Sequence, residues 1–345
     1  MSERRFYLDK AIGETRGVVT LDGRPERLLI AREGDDSMLA VGARGVARVR
    51  KVDRALGVAF IELAGGAPAV LPLKEDRLTE GLAVEVEIKS EPCRGKSAVA
   101  RLIGPAEGAP RLLEAAPGIE AELRALAKDG KLVEGLGARE AADEAEAEAL
   151  EIIHPLPGGG SLAIEETRAL VAIDVDVGDR PGSDSKRVTR LANLTALGAG
   201  ARLLRLKGLG GLVVIDLAGR GHDGAALLSA ARAAFGPDNP GVAISPVSRF
   251  GTLELTVPRR RRSVLEVLRG EGSGISALTG ALRLLRALER EGRASPGARL
   301  TATCAPAVAQ AVLSYESALA DRLGRRFEFT ARDGWPNDRL EAVAR

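Results

Sequence analysis

Residues 165–176 read Glu165-Glu166-Thr167-Arg168-Ala169-Leu170-Val171-Ala172-Ile173-Asp174-Val175-Asp176, a near-continuous apolar run ending in carboxylates. A second run of the same design follows: Gly211-Leu212-Val213-Val214-Ile215-Asp216-Leu217. Runs so rich in Val and Ile predict strands buried on both faces. A charge at the end of such a strand leaves the core at the sheet edge. Two such charges there could hold one metal ion between them.

Between the runs, Lys186–Leu206 has helical spacing through Val188, Leu191, Leu194, Ala201 and Leu204. Strand, helix, strand predicts a βαβ unit with parallel strands. A loop at 218–223, a helix over Gly224–Phe235 and strands at Val242–Val247 and Thr252–Val257 complete an α/β layer. In such layers the strand C-termini face the ligand crevice, and both aspartates sit at that end. A single strand-end Asp is commonly a helix cap or turn former. For the pair, a metal site and that structural role stand level. Asp176 adds a third oxygen near the first. With no Cys/His set nearby, the ion implied is hard and oxygen-seeking. Mg²⁺ suits, since it takes one or two carboxylates and fills its shell with water and substrate phosphate. That chemistry points to phosphodiester hydrolysis without a protein nucleophile.

Working outward, residues 4–32 alternate as strands with a hairpin turn at Asp22-Gly23. From 38 to 103 come five or six short strands: Leu39–Val41, Gly45–Val52, Val58–Leu63, Ala69–Leu71, Ala83–Ile88 and Ser97–Leu102. Even spacing of short strands suggests a small barrel of OB type, or another small antiparallel domain. Residues 104–118, rich in Pro, Gly and Ala, read as a linker, and Ile119–Leu132 and Ala138–Glu151 as helices. The alternating Ala and Glu of the second predict a solvated face rather than a catalytic carboxylate cluster. Gly158-Gly159-Gly160 reads as a hinge or hairpin turn, because no helix follows as a phosphate loop requires. Beyond a linker at Gly270–Gly274, the tail predicts a small separate α/β domain. It has helices at Ile275–Glu291 and Pro306–Leu323 and strands at Arg299–Cys304 and Arg325–Thr330.

The bulk numbers fit this reading. At 345 residues, 45% hydrophobic and 28% charged, the chain has room for two or three globular domains. A net charge of +2 neither announces nor excludes a nucleic acid. Its two cysteines, Cys93 and Cys304, build neither a disulfide framework nor a zinc quartet, so a reducing cytoplasm is expected. No apolar segment near the start or elsewhere reaches signal-peptide or membrane-span character.

Leu156–Asp176, Leu204–Asp216 and Val247–Leu255 resemble the catalytic segment of the ribonuclease E/G family. Ala59-Phe60-Ile61-Glu62 and Val70-Leu71-Pro72-Leu73-Lys74 are similar to that family's S1 domain, an OB-type barrel. The resemblance implies a multidomain α/β fold. It would have an N-terminal hairpin region at 1–37 belonging to an RNase H-like part and an S1 barrel at 38–103. A shortened RNase H-like remnant would follow at 104–155, then a DNase I-like catalytic domain at 156–269 and a small α/β domain at 275–345. Asp174 and Asp216 fall on the family's Mg²⁺-binding aspartates, with Mn²⁺ as an alternative ion. Phe60 matches an RNA-stacking aromatic, although its apolar strand alone predicts barrel core. A second family aromatic falls on Val70, so one stacking platform is missing. Lys96 and Arg249 match basic positions at the RNA surface. Arg259, Arg260 and Arg261, in a run of four arginines, read as a solvated face or as RNA-backbone contacts. His222-Asp223 reads as an acid/base pair or as a loop histidine beside a capping Asp.

Three departures stand out. The family has Asn where this chain has Asp176. No Cys-x-x-Cys lies in 268–280, so no zinc and no zinc-shared dimer is expected, though other oligomers remain open. No segment matches the family's 5′-monophosphate sensor. The resemblance thus implies an Mg²⁺-dependent endoribonuclease of single-stranded RNA. A non-catalytic RNA-binding member and a DNA-directed nuclease are the alternatives.

Overall fold

The computed structural model describes residues 3–73, 78–182, 184–238, 241–269 and 274–345. Lys74 and all of the expected 270–274 linker except Gly274 lie outside the described residues.

The chain begins with an antiparallel meander, β1 (Arg4–Ala11), β2 (Glu14–Leu21) and β3 (Arg24–Arg32). Asp22 and Gly23 form the second turn, both with positive φ, as the Asp-Gly signal predicts. The next strands are β4 (Arg44–Asp53), β5 (Val58–Glu62), β6 (Pro68–Pro72), β7 (Ala83–Ser90) and β8 (Ala98–Pro105). They pair in the order β5-β6-β8-β7-β4, and β4 closes back onto β5, giving a closed five-stranded barrel that fits an OB-type domain. Its interior holds alternate residues such as Ala59, Ile61, Ala69, Leu71, Val84 and Val86. The strand expected at Leu39–Val41 is a turn instead. The expected linker contains β9 (Arg111–Glu114), which pairs with β4 through its backbone. All four of its side chains are exposed, so it carries no apolar pattern to read.

Then follow α1 (Ile119–Ala127), β10 (Leu132–Val133) and α2 (Leu136–Leu150). β10 joins the N-terminal sheet parallel to β1, and α1 packs Ile119 and Leu123 onto Phe6, Leu8 and Val19. The solvated face expected for α2 holds only on one side. Ala138, Ala142, Ala145 and Ala149 are buried, because so small a surface lets the helix wedge between the N-terminal sheet and the layers behind it.

The main sheet comprises β11 (Ile153–Pro155), β12 (Ser161–Glu166), β13 (Val171–Asp176), β14 (Gly211–Asp216), β15 (Ala243–Ile244) and β16 (Thr252–Val257). Helices α3 (Ser185–Lys207) and α4 (Gly224–Phe235) lie between and after its central strands. The strand order is β11-β12-β13-β14-β16-β15, and β13 and β14 form the parallel βαβ pair the sequence predicts. Asp184 caps α3 by accepting from the N–H groups of Lys186 and Arg187, and Gly208 ends it in the left-handed conformation. Helix α3 lies in one core with Val18 and Leu28 of the first sheet and Ile173 and Ile215 of the second.

The burial of β13 and β14 on both faces is not what the structure has. Val171, Ile173 and Val175 face the core, whereas Asp174 and Asp176 on the alternate positions are exposed. Likewise Val213 and Ile215 point inward, while Leu212 and Asp216 are exposed. The sheet carries helices on one face and leaves the other open.

The last segment has α5 (Val264–Arg269), α6 (Ala277–Ala294), β17 (Leu300–Cys304), α7 (Pro306–Val312), α8 (Glu316–Leu323), β18 (Phe327–Ala331) and β19 (Glu341–Ala344). β17 is the centre of a three-stranded sheet in which β19, absent from the sequence reading, pairs antiparallel. This unit is not separate. Its core takes in Ile12 from the β1–β2 turn. A Cβ on Gly13, whose φ is +71°, would lie 2.4 Å from the Tyr315 ring, so the turn is seated on that residue.

Candidate functional site

Asp174 and Asp216 are direct register partners on parallel strands, about 4.8 Å apart by strand spacing. In a parallel pair such partners share a face, here the open one. Ala163 of β12 opposes Asp174, and Thr252 of β16 opposes Asp216. One row across four strands therefore reads Ala163, Asp174, Asp216, Thr252. The next row back is Glu165, Ala172, Val214, Glu254. These rows floor a depression of about 300 Å³ lined by Glu165, Ala172, Asp174, Val214 and Asp216.

Neither Asp174 nor Asp216 has a side-chain hydrogen bond or ion pair to another described residue, so their four oxygens face solvent. Ile173, Val175 and Ile215 anchor the backbone on either side, none more than 4% exposed. Two free carboxylates, with Glu165 at the edge of the same depression, suit a hard cation that brings its own waters. Among the described residues no group of three or more His, Cys, Asp or Glu could hold a metal ion. Asp176 is thus not assembled with the other two into a three-carboxylate cage. Its Oδ1 accepts the Gly178 N–H at 2.9 Å, making a turn at the strand exit.

Three elements fix that exit. Gly158, Gly159 and Gly160 form the β11–β12 hairpin turn, all at positive φ. A Cβ on Gly160 would lie 2.3 Å from the Asp176 carbonyl oxygen, so only glycine lets the two chains cross there. Past β14, the Asn193 side chain donates to Ala218 O and accepts from Ala218 N, both at 3.0 Å. Asn193 is buried on α3, and the sequence reading passed over it. Its signal was an amide set among the apolar positions Leu191, Leu194 and Leu197. The third element is the turn before β16, whose Gly251 carbonyl accepts the Leu217 N–H at 3.2 Å.

Arg249 and Phe250 lie on that turn, both exposed, with the guanidinium 4.7 Å from the ring centroid. Asp223 caps α4 by accepting the Ala226 N–H, which answers the His222-Asp223 alternative in favour of the cap.

On the barrel, Phe60 is 37% exposed, so it is not core. It pairs with Lys51 on one side and Val70 on the other, and Val70 pairs with Val99. These four make one outward row. Lys96 is exposed on the turn closed by backbone bonds with Cys93.

The arginine run is largely committed within the molecule. Arg259 donates to Cys93 Sγ and Gly210 O. Arg261 pairs with Glu122 at 2.5 Å, and Arg262 with Asp35 at 2.8 Å. Arg260 is exposed, and its carbonyl accepts the Glu91 N–H. Arg94 adds a further link between barrel and main sheet, pairing with Glu166 at 2.6 Å. These contacts fasten the barrel's β7–β8 loop to the main sheet.

The architecture is thus a mixed α/β protein joining a closed five-stranded barrel to an open sheet face with a paired-carboxylate site. Residues 111–262 match the model of the Ribonuclease E/G family. The chain is 32% identical over 184 residues to ribonuclease G of Salmonella typhimurium, covering 50% of this chain and 38% of that protein. It is 36% identical over 146 residues to ribonuclease E of Haemophilus influenzae, covering 39% of this chain and 16% of that protein. It is also 36% identical over 115 residues to a chloroplastic ribonuclease E/G-like protein of Arabidopsis thaliana, covering 32% of this chain and 12% of that protein. Residues 111–262 of this chain are thus similar to the ribonuclease E/G family, and the chain spans well under half the length of these relatives.

Proposed function

We propose that this chain is an Mg²⁺-dependent endoribonuclease that hydrolyses phosphodiester bonds in single-stranded RNA. The reading rests on one observation: the Asp174–Asp216 register pair lies within the segment that matches the family. In this reading residues 156–269 are the DNase I-like catalytic domain and 38–103 the S1 barrel. Segments 1–37 and 104–155 together make the shortened RNase H-like part, and 275–345 the small terminal domain.

Asp174 and Asp216 would hold the ion, their oxygens being free and on one face. Bound there, Mg²⁺, or Mn²⁺ in its place, supplies charge neutralisation at the phosphate and a more acidic water. The open face lets a flexible strand lie across the row without a lid. Asp176, with Oδ1 held by Gly178, leaves Oδ2 to orient the attacking water. Phe60 stacks a base, and Lys96, Arg249 and the exposed Arg260 carry the phosphates of the incoming strand. Arg259 and Arg261 support this surface through their internal bonds instead.

No described helix is long and apolar enough to cross a membrane. Both cysteines are free, which suits the reducing cytoplasm proposed as its site of action.

The test is RNA cleavage with Mg²⁺, comparing wild type with Asp174→Ala and Asp216→Ala. Equal residual activity in all three sinks the proposal. A second reading, a catalytically weakened RNA-binding protein of the same lineage, draws on the carboxylate Asp176 where the family carries an amide. Tight RNA binding unaffected by EDTA, without cleavage, selects it.

A further inference from the structure

Phe250 is 78% exposed, more than any other described large hydrophobic side chain. Such exposure on a loose loop would mean little, but here hydrogen bonds hold the turn beneath the ring. Ser248 N–H donates to Thr252 O at 2.8 Å, and Gly251 N–H to Ser248 O at 3.1 Å. Ser248 Oγ accepts from the N–H groups of Phe250 and Thr252 and lies 2.8 Å from Thr252 Oγ1. Gly251 has φ +90°, and a Cβ there would lie 3.3 Å from His222 Nε2. The turn thus uses a glycine where another residue would be both strained and crowded.

Its position matters as much as its order. Thr252 is the register partner of Asp216, and the Gly251 carbonyl is tied to Leu217. Phe250 is two residues from Thr252, a span of at most about 7 Å. The ring therefore stands at the rim of the carboxylate row. The Arg249 guanidinium lies 4.7 Å from its centroid, which orients the cation as it orients the ring. Arg249 has no carboxylate partner among the described residues, so its N–H groups remain open to a phosphate.

We infer that Phe250 is a base-stacking platform beside the Asp174–Asp216 pair, on which one nucleobase of a single-stranded RNA rests while Arg249 takes a neighbouring phosphate. This deepens the endoribonuclease reading and rests on it. A platform at the rim fixes the strand's register over the carboxylates, so Phe250 is a positioning residue for the bond to be cut. A π-face accepts any base, so the platform sets where the strand lies and not which sequence is chosen.

The test uses single-stranded RNA oligomers carrying 2-aminopurine at successive positions, bound to the full chain in EDTA so that hydrolysis is held off. Stacking quenches the fluorescence at one position. Phe250→Ala should abolish that quenching and weaken binding roughly 5- to 150-fold, and Phe250→Trp should restore both. Melting should stay where it is, since the ring touches no core. In Mg²⁺ the same Phe250→Ala change should raise KM or spread the cut over neighbouring bonds. Quenching, affinity and cut position all indifferent to Phe250 overturn the platform and leave the carboxylate site standing. Position-specific quenching without cleavage keeps the platform and sinks the hydrolase. Loss of RNA binding altogether in the wild type sinks both. A Phe250→Ala change that alters only the oligomeric state assigns the ring to a protein contact and overturns the inference.

Discussion

Asp174 and Asp216 stand opposite each other on neighbouring parallel strands, on the face that no described helix covers. Replacing either with Asn keeps the shape and hydrogen-bonding capacity but removes one of the two charges. Because both side chains are exposed and have no partner among the described residues, Asp174→Asn and Asp216→Asn should leave the melting temperature unchanged. Mg²⁺ binding by calorimetry should weaken at least tenfold in each, and RNA hydrolysis should fall by ~10² or more, the size of effect seen when one preorganised electrostatic group is removed. Normal hydrolysis in either variant contradicts the pair as the centre of the reaction.

The barrel offers a gain as well as a loss. Phe60 and Val70 are cross-strand partners on its outer row. Phe60→Ala should cost ~1–3 kcal/mol of single-stranded RNA affinity, one stacked base, with little effect on stability. Val70→Phe sets a second ring beside the first and should raise affinity by a similar amount. Filter binding at one fixed salt concentration checks both, since phosphate contacts shift with ionic strength. Equal affinity in Phe60→Ala and wild type removes the barrel row from the RNA path.

Much of this site was legible in the sequence because its strands and helix follow local rules. The Val/Ile runs located β13 and β14, and the Leu spacing located α3. The open face was hidden, because Ala172, Leu212 and Val214 point outward yet are apolar. Alternation disappears from a strand whose outward residues are small or aliphatic. Phe60 shows the reverse case. Its neighbours Ala59 and Ile61 are buried, so the alternation was present, but an aromatic in an apolar run was read as core. The partners of the arginine run were beyond reach for another reason. Asp35, Glu91 and Glu122 are far away in sequence, and ion pairs leave no periodic trace. β19 is four residues long and alternates only weakly, and it exists because β17 offers it a free edge.

Stability should rise with pH in two separate windows, set by two neighbouring buried basic side chains, Lys207 and His154. Burial lowers the Lys207 ammonium from 10.5 to about 8. Its Nζ still donates to the carbonyls of Ala149 and Glu151 at the end of α2. Between about pH 8 and 10.5 the unfolded chain keeps a proton that the folded chain has released, so raising pH there favours folding. A shift of that size corresponds to about 3 kcal/mol at most. Burial, followed by the charge of Lys207, also lowers the His154 pKa below its usual 6.5. Below 6.5 the unfolded chain takes up a proton that the folded chain resists, so stability is lost as pH falls. Guanidinium unfolding from pH 5 to 10.5 should show both slopes. Lys207→Met should flatten the upper window and His154→Leu the lower, and slopes that survive these changes assign the linkage to other groups.

Arg16 is the side chain on which the terminal unit's attachment turns. It is fully buried and pairs with Asp9 at 2.6 Å, Asp143 at 2.8 Å and Glu146 at 3.0 Å. Glu146 also takes Arg283 of α6 at 2.7 Å, and Arg286 of α6 takes Glu14 of β2 at 2.5 Å. The network therefore joins the N-terminal sheet, α2 and the C-terminal unit. Burial works to raise the Glu146 pKa, but the guanidinium groups of Arg286, Arg283 and Arg16 outweigh it and hold the carboxylate below its usual range. Taking away one cation leaves buried carboxylates without compensation, a loss of about 3–5 kcal/mol. Arg16→Met should therefore lower the melting temperature sharply and flatten the loss of stability as pH falls, because the Glu146 carboxylate loses one of the cations that hold its pKa down, while Arg50→Ala, in an exposed pair with Glu62, should leave the melting temperature where it is. Replacing Arg16, Asp9 and Glu146 together by Met, Leu and Leu should recover much of the loss, because the cost comes from unpaired charge rather than from the absent bonds. A single Arg16→Met variant as stable as the wild type would show that the terminal unit is held by Ile12 and Tyr315 packing alone.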